Sequence, residues 1–101
     1  MIIYVDIDNT ICKSFKNKNK EWDYALSKPR HKQINKINAL YDNGNEIIYW
    51  TARGSATGID WVELTKKQLN LWGCKYTRIE KKVKPVYDLY IDDKAKRIEE
   101  I

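Results

Sequence analysis

The stretch Ile2-Ile3-Tyr4-Val5-Asp6-Ile7-Asp8-Asn9-Thr10 decides how this chain reads. An apolar, β-branched run that ends abruptly in carboxylates and turn formers reads as a buried strand. If the strand geometry continues, Asp6 and Asp8, two apart, share a face. Similar runs recur along the chain. Glu46-Ile47-Ile48-Tyr49-Trp50-Thr51 predicts a second strand, Lys75 to Ile79 a short third one, and Tyr87 to Ile91 a fourth that runs straight into Asp92-Asp93. Helical spacing fills the intervals. Ile34, Ile37, Leu40 and Tyr41 predict a helix that starts at Pro29 and stops at Asn43-Gly44. Asp60 is placed to cap a second helix carried by Trp61, Leu64, Leu69 and Trp72 and stopped at Gly73, and Lys94 to Ile101 predicts a short third one. Strands alternating with helices imply a parallel sheet, here a Rossmann-like three-layer α/β sandwich in one domain spanning residues 1–101.

In such folds ligands bind outside the carboxyl ends of the strands. That rule gathers Asp6, Asp8, Thr51, Asp92 and Asp93 at one edge. Any of these aspartates alone reads as a turn former or helix cap; their conjunction at one rim is what calls for chemistry. Carboxylates crowded together need a positive charge between them. An oxygen-only set without imidazole or thiolate suits a hard cation, most naturally Mg²⁺. Thr51 adds a hydroxyl, and Lys84 adds a positive charge suited to a phosphoryl group.

Composition narrows the rest. The chain has 101 residues, 43% hydrophobic and 33% charged, and no apolar run approaches the ~20 residues of a membrane span. No basic leader precedes Asp6, so a cytoplasmic protein without membrane association is expected. Cys12 and Cys74 lie in no metal-binding spacing, and His31 is the single histidine, which leaves zinc and Ser-His-Asp chemistry poorly supplied. The net charge of +5 is concentrated: eight Lys or Arg fall between Lys13 and Lys36, against Glu21 and Asp23. Such a field draws anions, although a basic run can equally be a solvated loop. Residues 10–28 fit neither period and read as a long loop with a small hairpin, of a length that is commonly functional. Within it, Trp22 and Tyr24 either stack on a ligand or pin the loop.

Four segments together resemble the motifs of the haloacid dehalogenase superfamily of phosphohydrolases: DIDNT at Asp6 to Thr10, WTAR around Thr51, KVKP around Lys84 and YIDDK around Asp92. They occur in that family's order over nearly the whole chain. The resemblance implies that Asp6 is a nucleophile forming an aspartyl-phosphate and that Asp8 is the general acid and base. It implies that Thr51 and Lys84 hold the phosphoryl oxygens, and that Mg²⁺ is bound by Asp6, the Asp8 carbonyl and the Asp92/Asp93 pair. Asn9, Ala52 and Arg53 are then expected to contact substrate. The family most often has glycine where this chain has Asn9, a residue that tolerates left-handed backbone.

Neither gap between motifs has room for a cap domain, so residues 10–28 stand where the family has a mobile flap, and the site is open or closed by a second copy of the chain. Small capless members of this kind imply a phosphorylated metabolite, a sugar phosphate first, as substrate. The basic loop also fits a polynucleotide 3'-phosphatase. Outside enzymes, a phospho-receiver or a phospholigand-binding domain is the alternative, but a receiver carries its phosphorylated aspartate on a middle strand, where this chain has Thr51.

Overall fold

The computed structural model describes residues 1–54, 57–81, 89, 91 and 94–101. In chain order the elements are β1 (Ile2–Asp6), β2 (Cys12–Lys13), a 3-10 turn (Tyr24–Leu26), β3 (Lys28–Pro29), α1 (His31–Asp42), β4 (Glu46–Trp50), α2 (Val62–Leu71), β5 (Arg78–Glu80) and a second 3-10 turn (Ile98–Glu100). The main sheet is parallel, with strand order β1-β4-β5. Its register aligns Asp6 with Trp50 and Trp50 with Glu80. The residues that follow each of these three therefore leave the sheet along one carboxyl edge.

One face of the sheet, carrying Val5, Ile47 and Tyr49, packs with Ile34 and Ile37 of α1, Leu69 of α2 and Trp72 at the C-cap of α2 in a single core. Ile98 joins that core from the C-terminal turn. The described residues form a small α/β fold with three parallel strands and two helices, consistent with a Rossmann-like sandwich. The described residues supply two of the expected three layers. The fourth strand expected at Tyr87 to Ile91 falls mostly outside them. Among the described residues no helix is long and apolar enough to cross a membrane.

Both helices end as glycine signals require. Gly44 and Gly73 have φ of 92° and 72°, and each follows a helix whose last carbonyls are taken by a paired set of bonds. Gly73 N–H donates to Asn70 O at 3.2 Å and Cys74 N–H to Leu69 O at 2.9 Å. Gly44 and Asn45 do the same to Tyr41 and Leu40, so both ends are Schellman motifs. The N-cap of α2 is Trp61 rather than Asp60, and it makes no side-chain cap bond; Asp60, one residue earlier, accepts from Val62 N–H through Oδ1 at 2.9 Å.

The boundaries differ from the sequence reading in three places. The first helix begins at His31 rather than Pro29, because Pro29 pairs with Cys12 across the small hairpin and Arg30 N–H extends that ladder to Ile11 O at 2.8 Å. The third strand is Arg78–Glu80 rather than Lys75 to Ile79. Lys75 N–H is drawn instead to Asn38 Oδ1 of α1 at 2.8 Å, and Asn38 Nδ2 donates to Gly73 O at 2.9 Å, which holds the chain off the sheet until Thr77. Thr77 N–H then reaches Ile47 O at 2.7 Å. The C-terminal helix is one 3-10 turn.

Candidate functional site

Asp6 is the last residue of β1, and the chain then makes a tight turn closed by Thr10 N–H and Ile11 N–H on Ile7 O, at 3.1 and 3.0 Å. Asn9 takes φ of 62° within it, the left-handed conformation that its short polar side chain accepts at little cost. Asn9 N–H donates to Cys12 O at 2.9 Å, so the turn is fastened to the root of the β2–β3 hairpin. Thr10 Oγ1 donates to Asp6 Oδ2 at 3.1 Å and orients that carboxylate. Across the edge, Thr51 follows Trp50, the register partner of Asp6, and its N–H is directed to Glu80 O at 3.4 Å. Its hydroxyl oxygen accepts from Arg53 N–H at 3.0 Å and shapes the loop that follows.

Asp8 is the centre of the polar network. Arg53 grips it with Nη2 at 2.9 Å and Nε at 3.2 Å on Oδ1, and with Nε at 3.1 Å on Oδ2. Ser14 Oγ donates to Asp8 Oδ1 at 2.6 Å. Arg53 continues on its far side to Gln68 Oε1 at 2.6 Å and Thr65 Oγ1 at 3.2 Å, both on α2. Its guanidinium also lies over the Tyr24 ring at 4.7 Å. The Arg53 side chain is 1% exposed and that of Asp8 22%. A buried cation needs that set of acceptors, because burial without them costs several kcal/mol.

Arg53, expected at the substrate, has its guanidinium enclosed and directed at Asp8. Asn9 is exposed, and Ala52 half-buried between Thr51 and Arg53. Lys84, Asp92 and Asp93 lie outside the described residues. The sequence reading missed Ser14, Thr65 and Gln68. The signal for the last two was present: Trp61, Thr65, Gln68, Leu69 and Trp72 form one helical stripe, and two polar residues inside an apolar stripe call for a buried partner. Of the two tryptophans in that stripe, Trp72 is in the core, while Trp61 meets the Tyr24 ring edge-on at 5.2 Å. Tyr24 therefore pins the loop, whereas Trp22 is 49% exposed with Lys16 Nζ 5.1 Å from its ring centre.

Among the described residues, a small cavity and a wider cleft lie near the edge. The cavity, of about 40 Å³, is lined by Thr51, Arg53, Trp61, Thr65, Ile79 and Lys81, among others. The cleft, of about 390 Å³, is bounded by Asn9, Cys12, Lys13 and Arg30. Arg30 Nη1 donates to the carbonyls of Asn9 and Thr10 at 3.3 and 3.2 Å. The Cys12 thiol is pushed up to about 11, by burial first and then by the Asp8 charge. It stays protonated near neutrality and is a poor nucleophile or metal ligand.

No family model matches this chain, and no curated protein matches it. Among solved structures, the crystal structure of an MCSG target protein from Vibrio cholerae is similar, with a TM-score of 0.79 and 27% sequence identity. The match covers 98% of this chain and 85% of that one. The name of that protein carries no activity, so the likeness speaks to the fold.

Proposed function

We propose that this chain is a capless phosphohydrolase of the haloacid dehalogenase type, acting on a small phosphorylated metabolite, with a sugar phosphate as the first choice. The observation that carries the reading is the placement of Asp6 and the Asp8 turn at the carboxyl end of β1, with Thr51 leaving the adjacent strand. In the proposed reaction an Asp6 carboxylate oxygen attacks phosphorus, and the bond from phosphorus to the leaving oxygen breaks. Asp8 supplies the proton that the leaving oxygen takes up. Water then attacks phosphorus of the aspartyl-phosphate and gives its proton to Asp8, which releases inorganic phosphate and restores the Asp6 carboxylate.

The described donors fit Mg²⁺. Asp6 and the Asp8 carbonyl offer oxygen only, the nearby Cys12 thiol is protonated, and His31 is exposed at the start of α1. With Asp92 or Asp93 they would hold the ion, which supplies positive charge against the phosphoryl oxygens. Ser14 and Arg53 orient Asp8, and Thr10 orients Asp6. A cytoplasmic location belongs to this proposal, in keeping with two free thiols.

The basic hairpin favours a second reading, a polynucleotide 3'-phosphatase, because Lys13 stands directly opposite Lys28 in the β2–β3 pair. Like charges so placed repel until an anion approaches. The test is hydrolysis of p-nitrophenyl phosphate with Mg²⁺, with EDTA and with Asp6→Asn, followed by sugar phosphates and 3'-phosphorylated oligonucleotides. Turnover abolished by EDTA and by Asp6→Asn is the expected result. Absence of turnover across the whole panel would end the proposal in favour of a phospholigand-binding domain.

A further inference from the structure

We infer that Arg53 is a positioning residue that couples the 10–28 flap to Asp8, so that one buried cation sets both. The inference rests on the reading of Asp8 given above. Arg53 presents three sides to three different segments. Nε and Nη2 face Asp8, Nη1 faces Thr65 and Gln68 of α2, and the flat face covers Tyr24 of the flap. Gln68 completes the link from the other direction: its Nε2 donates to Tyr24 O at 2.6 Å while its Oε1 accepts from Arg53. That pairing fixes the amide orientation, because the flipped amide would set donor against donor and carbonyl against carbonyl. The Tyr24–Leu26 turn is thus docked on the same guanidinium that grips Asp8, and movement of the turn changes what holds the carboxylate.

The grip is also asymmetric. Asp8 Oδ1 receives Ser14 Oγ, the Cys12 thiol and two Arg53 nitrogens, whereas Oδ2 receives Arg53 Nε alone among the described residues. Oδ2 is the oxygen left to exchange a proton with the leaving group and with water. A lysine at position 53 keeps the charge but lacks the planar fork that fixes both oxygens.

Two substitutions separate the parts. Arg53→Lys keeps a cation and loses the geometry. Gln68→Glu keeps the acceptor toward Arg53 and places an oxygen against Tyr24 O, which releases the flap. With p-nitrophenyl phosphate and Mg²⁺, Arg53→Lys is expected to lower kcat by about 100-fold with KM held within about threefold. Gln68→Glu is expected to speed tryptic cleavage at the flap lysines and to lower kcat by about tenfold, again at nearly constant KM. A loss expressed in KM alone for Arg53→Lys would make Arg53 a substrate contact and overturn the inference. Faster flap cleavage in Gln68→Glu at unchanged kcat would overturn it too. If the parent protein turns over no phosphate ester, the proposed function fails on its own. The coupling is then read from the Asp8 side-chain carboxyl resonance by ¹³C NMR: a shift on Gln68→Glu supports it, and an unmoved resonance overturns it.

Discussion

The loops that follow β1 and β4 leave the carboxyl edge of the sheet side by side, and they use their cations in opposite ways. The loop after β1 turns five of its lysines (Lys13, Lys16, Lys18, Lys20 and Lys28) outward, and none forms an ion pair among the described residues. Their contacts are local, as where Lys28 Nζ lies 5.9 Å from the centre of the Phe15 ring. The loop after β4 carries one cation, Arg53, and turns it inward onto Asp8, Thr65 and Gln68. A mobile exposed charge creates a field that gathers anions and is weakened by salt. A buried charge with every side occupied fixes geometry and is screened little. Under the proposed function the first arrangement serves to gather an anionic substrate and the second to fix the Asp8 carboxylate.

The contrast is broken most strongly by removing each kind of charge in turn. Arg53→Met should destabilise the fold by about 3–5 kcal/mol, since it strands Asp8 and Gln68 without their partner. Lys18→Met should leave the denaturation midpoint unmoved. Paired urea melts check this, and equal effects at the two positions would remove the distinction. Gly54→Ala comes next. Gly54 has φ of 85°, and a Cβ there would collide with the Ile59 carbonyl. The loop that presents Arg53 would have to rearrange, and a loss of about 2–4 kcal/mol is expected.

The thiols give a smaller effect with a definite sign. Burial raises Cys12 and Cys74 from 9.0 to about 11 each. In the unfolded chain they ionise first, so the stability due to their neutral burial is complete below pH 9. It is lost progressively as pH rises toward 11. Thermal melts from pH 8 to 11 should show a falling midpoint, and Cys12→Ala should flatten the decline. Charge reversal at the hairpin tip, Lys16→Glu with Lys20→Glu, should raise KM for an anionic substrate a few-fold at low ionic strength and progressively less with added salt. Asn9→Gly should do least. Glycine relieves the positive φ but loses the Asn9 Oδ1 contact to Ser14 N–H at 3.4 Å, so a change within about 1 kcal/mol is expected.

Much of this arrangement was legible in the residues. The apolar runs at Ile2 and Glu46 needed only period and boundary, and the glycines after Tyr41 and Trp72 marked the helix ends because no other residue takes their backbone so cheaply. Asn9 was readable for the same reason. The start of α1 was not, because Pro29 satisfies both a helix start and an edge position in a hairpin. Tertiary pairing with Cys12 decided between them. The displacement of β5 depended on Asn38, thirty-seven residues before Lys75, and no local pattern carries such a contact. The burial of Arg53 followed the same logic. A cation after Thr-Ala reads as a ligand contact until the acceptors on α2 and the Tyr24 turn are in place.

The proposed function requires Asp6 to become covalently phosphorylated at the carboxyl edge of β1. Rapid-quench mass spectrometry of the protein mixed with p-nitrophenyl phosphate and Mg²⁺ addresses it most directly. A transient species heavier by one phosphoryl group, localised by peptide mapping to Asp6 and absent in Asp6→Asn, is the expected result. Steady turnover with no such species, or with the label on another residue, would contradict it.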